Sequence, residues 1–103
     1  MIIVTTNDIP GKEIAVLDMV EGSTIQTVHA GKDFMNGLKT LVGGELKSYT
    51  EMMEKARRLA TERMMAEAEK LGADAVVAVR YSTSSIMQSA SEVTVYGTAV
   101  RFI

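Results

Sequence analysis

From residue 46 to residue 71 the side chains of Leu46, Tyr49, Met53, Ala56, Ala60, Met64, Ala68 and Leu71 recur every three or four positions without a break. That spacing is one face of a single long α-helix. At 1.5 Å per residue, a helix over residues 45–71 is about 40 Å long. A compact domain of this size has a radius of gyration of roughly 13 Å, or a diameter of about 34 Å as a uniform sphere. The helix must therefore span the whole subunit, and everything else in the chain has to be arranged along it. Its ends carry their own signals. Ser48 and Glu51 have the spacing of a capping box, and Gly72 stands where a left-handed residue would close the last turn. Glu51 with Lys55, Glu54 with Arg58 and Arg63 with Glu67 sit one turn apart on the polar side. Neither glycine nor proline occurs near Thr61 to break the helix into two shorter ones.

Before this helix, "MIIVTT" is β-branched and apolar, and "NDIPGK" collects turn-forming residues, so a first strand should end near Thr6. The run "EIAVLDMV" over residues 13–20 has apolar side chains on both faces, and "EGS" interrupts it before "TIQTV". This reads either as one bulged strand or as two strands joined by a tight turn at Gly22. In "KDFMNGLKTLV" the period changes: Phe34, Leu38, Leu41 and Val42 predict a short amphipathic helix, capped by Asp33. After the long helix, "ADAVVAVRYS" predicts a strand, "TSSIMQSAS" a polar connection, and "EVTVYGTAVRFI" a final strand.

Composition limits the partners. Eleven basic residues against thirteen acidic leave a net charge of −2, which offers no field to attract nucleic acid or an anionic membrane. The chain has no cysteine, so disulfides, thiolate nucleophiles and cysteine-based zinc sites are excluded. "MIIVTTND" lacks the basic region and apolar length of a signal peptide, and no stretch approaches a membrane span, so a cytoplasmic location is expected.

The glycine pair of "LVGGELK" invites comparison with a phosphate loop, which needs several glycines between strand and helix, followed by Lys and Ser/Thr. Here Gly43 and Gly44 follow a helical pattern instead, and Glu45 puts a negative charge where phosphate would dock. Their expected role is to end one helix and redirect the chain into the next. Enzyme chemistry finds little support. The hydroxyls of "YSTSSIMQSAS" have no neighbouring histidine to activate them, and Asp18 with Glu21 has no assured cleft. Arg80 interrupts the apolar "AVVAVRY". It must lie at an exposed strand end or be held by a carboxylate, and in a pocket it would suit an anionic small molecule.

The stretches "MIIVTTNDIPGKEI", "LVGGELKSYTEMMEKAR", "LGADAVVAVRY" and "YGTAVRF" together resemble the YbjQ family of small bacterial and archaeal proteins, in that family's order and over nearly the whole chain. The resemblance implies one α+β domain over residues 1–103, a dodecin-like subunit. Its antiparallel sheet would carry one short and one long helix in the order β-β-α-α-β-β. It also implies assembly with copies of itself into a pentameric ring. The family is labelled heavy-metal-binding in places and brings no catalytic motif. Heavy metals want thiolate, imidazole or thioether donors converging on one point. The chain offers one imidazole, His29, with Asp33 four residues on, and its adjacent methionines diverge by about 100° on a helix. His29 and Asp33 are thus the candidate metal ligands, best placed if neighbouring subunits share the site, and Arg80 is the candidate anion contact.

Two functional readings follow. One is a non-enzymatic oligomeric binding or scaffold module with a small-molecule or ion site at subunit boundaries. The other is a metal-binding protein, or a metal-dependent enzyme, with ligands shared between chains. Self-assembly is expected independently of any family, because strands apolar on both faces cannot both be covered by one helix layer.

Overall fold

The structure, a computed structural model, describes residues 1–27, 47–87 and 90–103. In chain order the described elements are β1 (Ile2–Ile3), β2 (Ile14–Thr27), α1 (Lys47–Lys70), β3 (Ala75–Met87) and β4 (Ala90–Phe102). The four strands form one sheet in the order β1-β3-β4-β2. β4 is antiparallel to both neighbours, whereas β1 runs parallel to β3, with Ile2 opposite Ala75 and Ile3 opposite Val76.

This corrects the expected fold. Among the described residues, the expected antiparallel, dodecin-like subunit with two helices in the order β-β-α-α-β-β gives way to an α+β arrangement of one helix on a mixed sheet, in the order β-β-α-β-β. The short helix predicted around Phe34–Val42 and the glycine pair lie outside the described residues. The sheet is mixed because the N-terminus pairs with a strand more than seventy positions away. Alternation within a strand carries no information about such a partner. β1 is also shorter than predicted: beyond Ile3 the chain keeps only isolated bonds to β3, from Val4 N to Val76 O (3.0 Å), Val79 N to Val4 O (3.0 Å) and Ala78 N to Thr6 O (2.8 Å).

α1 is unbroken through Thr61, whose hydroxyl donates back to the Arg57 carbonyl at 2.7 Å while the Tyr81 hydroxyl meets its oxygen at 2.8 Å. Its buried seam is Met52, Ala56, Ala60, Met64 and Ala68, at four-residue intervals, with Met53 half-buried beside it. Ser48 already lies inside the helix, so it is not the cap. The C-terminus ends as expected. Gly72 has φ +74°, its N–H bonds the Glu69 carbonyl at 3.0 Å, and Ala73 N bonds Ala68 O at 3.1 Å, a pairing that satisfies two otherwise orphaned carbonyls. Among the described residues, the helix ion pair that forms is Lys70–Glu67 at 3.1 Å, not Arg63–Glu67.

The seam packs chiefly on β2 and β4, against Val20, Val93, Val95 and Ala99, with Val76 and Val79 of β3. Residues 14–27 are one strand. Leu17 is the extra residue of a bulge and turns inward, and there is no turn at Gly22. Gly22 instead makes room for the helix, since a Cβ there would collide with the Ala60 carbonyl oxygen and lie 2.5 Å from Met64 N. Helix backbone can therefore rest on strand backbone. On the other face a smaller cluster of Ala75, Val77 and Val100 is covered by Val4, Ile9, Ile14 and Phe102. β3 bulges between Val77 and Arg80, where Ala78 takes φ +54°, a conformation that usually selects glycine. Residues 83–87, expected as part of a connection over 83–91, continue β3 instead and pair with β4 as far as Met87–Ala90. Their serines and threonines reflect a strand that is exposed throughout.

Stability should respond to substitution at two of these positions. Gly22→Val should lower unfolding free energy by at least about 2 kcal/mol, because neither colliding group is a movable side chain. A urea midpoint equal to wild type would refute the close approach. At Ala78, substitution by Val should cost about 1–2 kcal/mol, whereas Gly should leave stability equal or slightly higher, since only the latter relieves the left-handed backbone.

Candidate functional site

β2 forms one edge of the sheet, and α1 runs antiparallel above it: Ser23 lies near Arg63, and Asp18 near Lys70 and Leu71. Between the strand edge and the flank of the helix lies an open groove of about 580 Å³. Its helix wall is built by Arg63, Glu67 and Lys70, which recur at i, i+4 and i+7 and therefore share one flank beside the buried seam. Its floor is the exposed edge of β2 from Asp18 to Ser23.

The charges of the groove are largely committed to structure. Arg63 Nη1 donates to the Ser23 carbonyl at 2.8 Å, tying helix to strand. Asp18 Oδ1 accepts from Met19 N at 2.8 Å, and Glu67 Oε1 holds Lys70 Nζ. Asp18 and Glu21, weighed from the sequence as an acid–base pair, both line the groove with Ser23, whose hydroxyl is hydrogen-bonded to that of Thr94 at 3.0 Å, and the described lining residues include no imidazole. The groove can hold an extended chain or a small polar molecule; its own side chains do not assemble acid–base or nucleophilic chemistry.

Arg80 is the sixth residue of β3 and is exposed in mid-strand, directly across from Tyr96. Its Nη1 donates to the carbonyls of Thr5 and Val79, each at 2.9 Å, so carbonyl oxygens hold it rather than the carboxylate anticipated. It fastens the N-terminal segment across the β3 bulge. His29 and Asp33 lie outside the described residues. Among the described residues, no three histidine, aspartate or glutamate side chains come close enough to hold a metal ion. No described helix is long and apolar enough to cross a membrane.

Sequence reasoning missed the role of Arg63, which it paired with Glu67. Position 63 directly precedes Met64 of the seam, and that adjacency places it at the rim of the buried face. Which strand carbonyl it meets depends on how the helix lies on the sheet.

The family model described as "putative heavy-metal-binding", YbjQ, matches residues 1–103. The chain is 62% identical to a UPF0145 protein of Clostridium novyi over 103 residues, covering all of both chains. It is 56% identical to one of Methanosarcina acetivorans, covering all of this chain and 98% of that one. A third, from Thermotoga maritima, is 53% identical, with 98% of this chain and 96% of that one covered. Among solved structures, a protein of unknown function from Pediococcus pentosaceus, placed in the DUF74 family, superposes with a TM-score of 0.71 over all of this chain and 98% of its own. At 16% identity that likeness shows the fold alone. With a full-length family match and relatives above half identity in bacteria and an archaeon, the chain belongs to the YbjQ (UPF0145) family.

Proposed function

We propose that this protein is a cytoplasmic, non-enzymatic binding or scaffold module that works as a homo-oligomer, a ring of five copies, with a small-molecule or ion site where subunits meet. The observation that carries this reading is the sheet face opposite α1. Val16, Met19 and Ile25 are 71%, 66% and 57% exposed there, with Tyr96 on the neighbouring strand 41% exposed. Among the described residues, α1 covers one face of the sheet, and the N-terminal segment covers the end of the other around Val100. Apolar surface of this kind is normally buried by a partner, and for one gene product closed symmetry makes that partner another copy. Shape agrees. The radius of gyration is 16.9 Å, against roughly 13 Å for a compact domain of this length, and the principal extents are 53 × 25 × 17 Å. At such a boundary Arg80 is an anion contact, since a guanidinium has five N–H donors and only Nη1 is engaged. Light scattering should return a mass about five times 11.2 kDa. A mass of 11.2 kDa persisting at high concentration would end the assembly reading.

The second reading, metal binding with ligands shared between subunits, is supported by the family description and by the single imidazole, His29. A shared site needs only one or two donors per chain, with His29 and Asp33 as the pair. It requires saturable heat when Zn²⁺, Cu²⁺ or Ni²⁺ is titrated into micromolar protein, lost in His29→Ala. Absence of heat for all three ions removes it.

A further inference from the structure

Among the described residues the sheet carries two unpaired edges on opposite sides, β2 along its length and β3 beyond Arg80. Ser23 gives its carbonyl to Arg63 of the helix, so its peptide points away from β4. In an antiparallel ladder a residue's N–H and C=O point the same way, and residues two apart agree. Met19, Glu21, Ser23 and Ile25 therefore face outward along β2, consistent with Met19 N taking the Asp18 carboxylate rather than a strand partner. Thr94, opposite Ser23, is then directed toward β3 and pairs with Ser82. Tyr81, Thr83 and Ser85 consequently face outward on the far side. Outside the ladder, the peptide groups of Glu21 and Thr83 have no backbone hydrogen-bond partner among the described residues.

Such edges are ordinarily blunted by proline, lysine or a covering element. The segment 81–87, "YSTSSIM", has no charge and no proline. Beyond Tyr81, whose hydroxyl meets that of Thr61, it also projects past the cover of α1, which packs mainly on β2 and β4. The two edges differ in shape: β2 lies at the foot of the groove under the Arg63–Lys70 flank, while β3 is a bare strand. Both are antiparallel to β4 and so run in the same direction, which lets a rotation about an axis along the strands bring one beside the other.

We propose that the free edge of β3, centred on Thr83, seats in the groove along Met19–Ser23 of the next copy and continues its sheet as a parallel strand. The occupant of the groove is thus a second copy of this chain, in a head-to-tail contact that uses a different edge on each side. This rests on the assembly reading above and specifies the surfaces that make it. With Met19 N held by Asp18 and Ser23 O by Arg63, the outward groups left on β2 are Met19 O, both peptide groups of Glu21 and Ser23 N, which the outward amides and carbonyls of Tyr81–Ser85 then satisfy.

Proline substitutions test it without touching the internal ladder, because an outward N–H is the one a strand can lose. Glu21→Pro and Thr83→Pro should each keep the far-ultraviolet circular dichroism of wild type. Each should lower the mass of a ring to 11.2 kDa. Mixed in equal amounts, the two variants should form a dimer, since each retains the edge the other lacks. In wild type, hydrogen exchange should show the Glu21 and Thr83 amides protected at high concentration and unprotected on dilution, a readout that holds even where a proline variant misfolds. A monomeric wild type would sink the assembly reading and this proposal together. An assembled wild type with both amides unprotected, or with Thr83→Pro still assembled, would overturn this proposal alone. It fails in the same way if Glu21→Pro is the only variant that dissociates the ring, as a symmetric β2–β2 contact or another occupant of the groove would require.

Discussion

The contact of α1 with β2 at Gly22 governs the rest of the molecule. Ala56, Ala60 and Ala68 are fully buried, and Gly22 lets the helix backbone at Ala60 and Met64 approach the strand more closely than any Cβ would allow. A helix that sits this low is committed to one position, over the β2 side of the sheet. It leaves the far half of β3 without cover and creates the groove along the β2 edge, with Arg63 bridging the two at Ser23. Small residues along a seam thus decide where the exposed surfaces fall, although none of them reaches those surfaces.

β4 is the second organising element. As the central strand it hydrogen-bonds to β3 on one side and β2 on the other, and its side chains supply both cores: Val93, Val95 and Ala99 under the helix, Val100 and Phe102 on the opposite face. The bulges at Leu17 and Ala78 are both in the neighbouring strands. Each changes which residues face the helix, so an apolar run such as "AVVAV" divides between two cores instead of filling one. That is why residues 75–79 are strongly apolar while 82–87 on the same strand are hydroxyl-rich. The first stretch is covered on both faces and the second on neither.

The described surface is better suited to binding than to reaction. Several charged groups are tied to backbone or to one another: Arg63 to Ser23, Asp18 to Met19, Arg80 to Thr5 and Val79, Glu67 to Lys70. Side chains that position backbone are poorly placed to move protons as well. At the β2 and β3 edges and on the face opposite α1, backbone and apolar surface lie open, the two materials from which protein–protein contacts are made.

The long helix was legible in the sequence because period, pairing and terminator all lie within a few residues of one another: the seam from Ala56 to Ala68 and the Gly72 stop follow from local geometry. For residues 13–27 the sequence left a bulged strand and two strands joined at Gly22 as alternatives, and the pairing with β4 chose one strand with its bulge at Leu17. Tertiary structure decided what depends on distant residues. The parallel pairing of Ile2 with Ala75, the choice of Ser23 over Glu67 as partner of Arg63, and the use of Gly22 for close approach instead of a turn each join segments tens of positions apart. The strand character of residues 83–87 belongs with them, because a run of serine and threonine reads as a connection until β4 supplies the ladder that holds it extended. Local sequence specifies periodicity and chain reversal; which edges and faces remain open follows only from where the helix comes to rest.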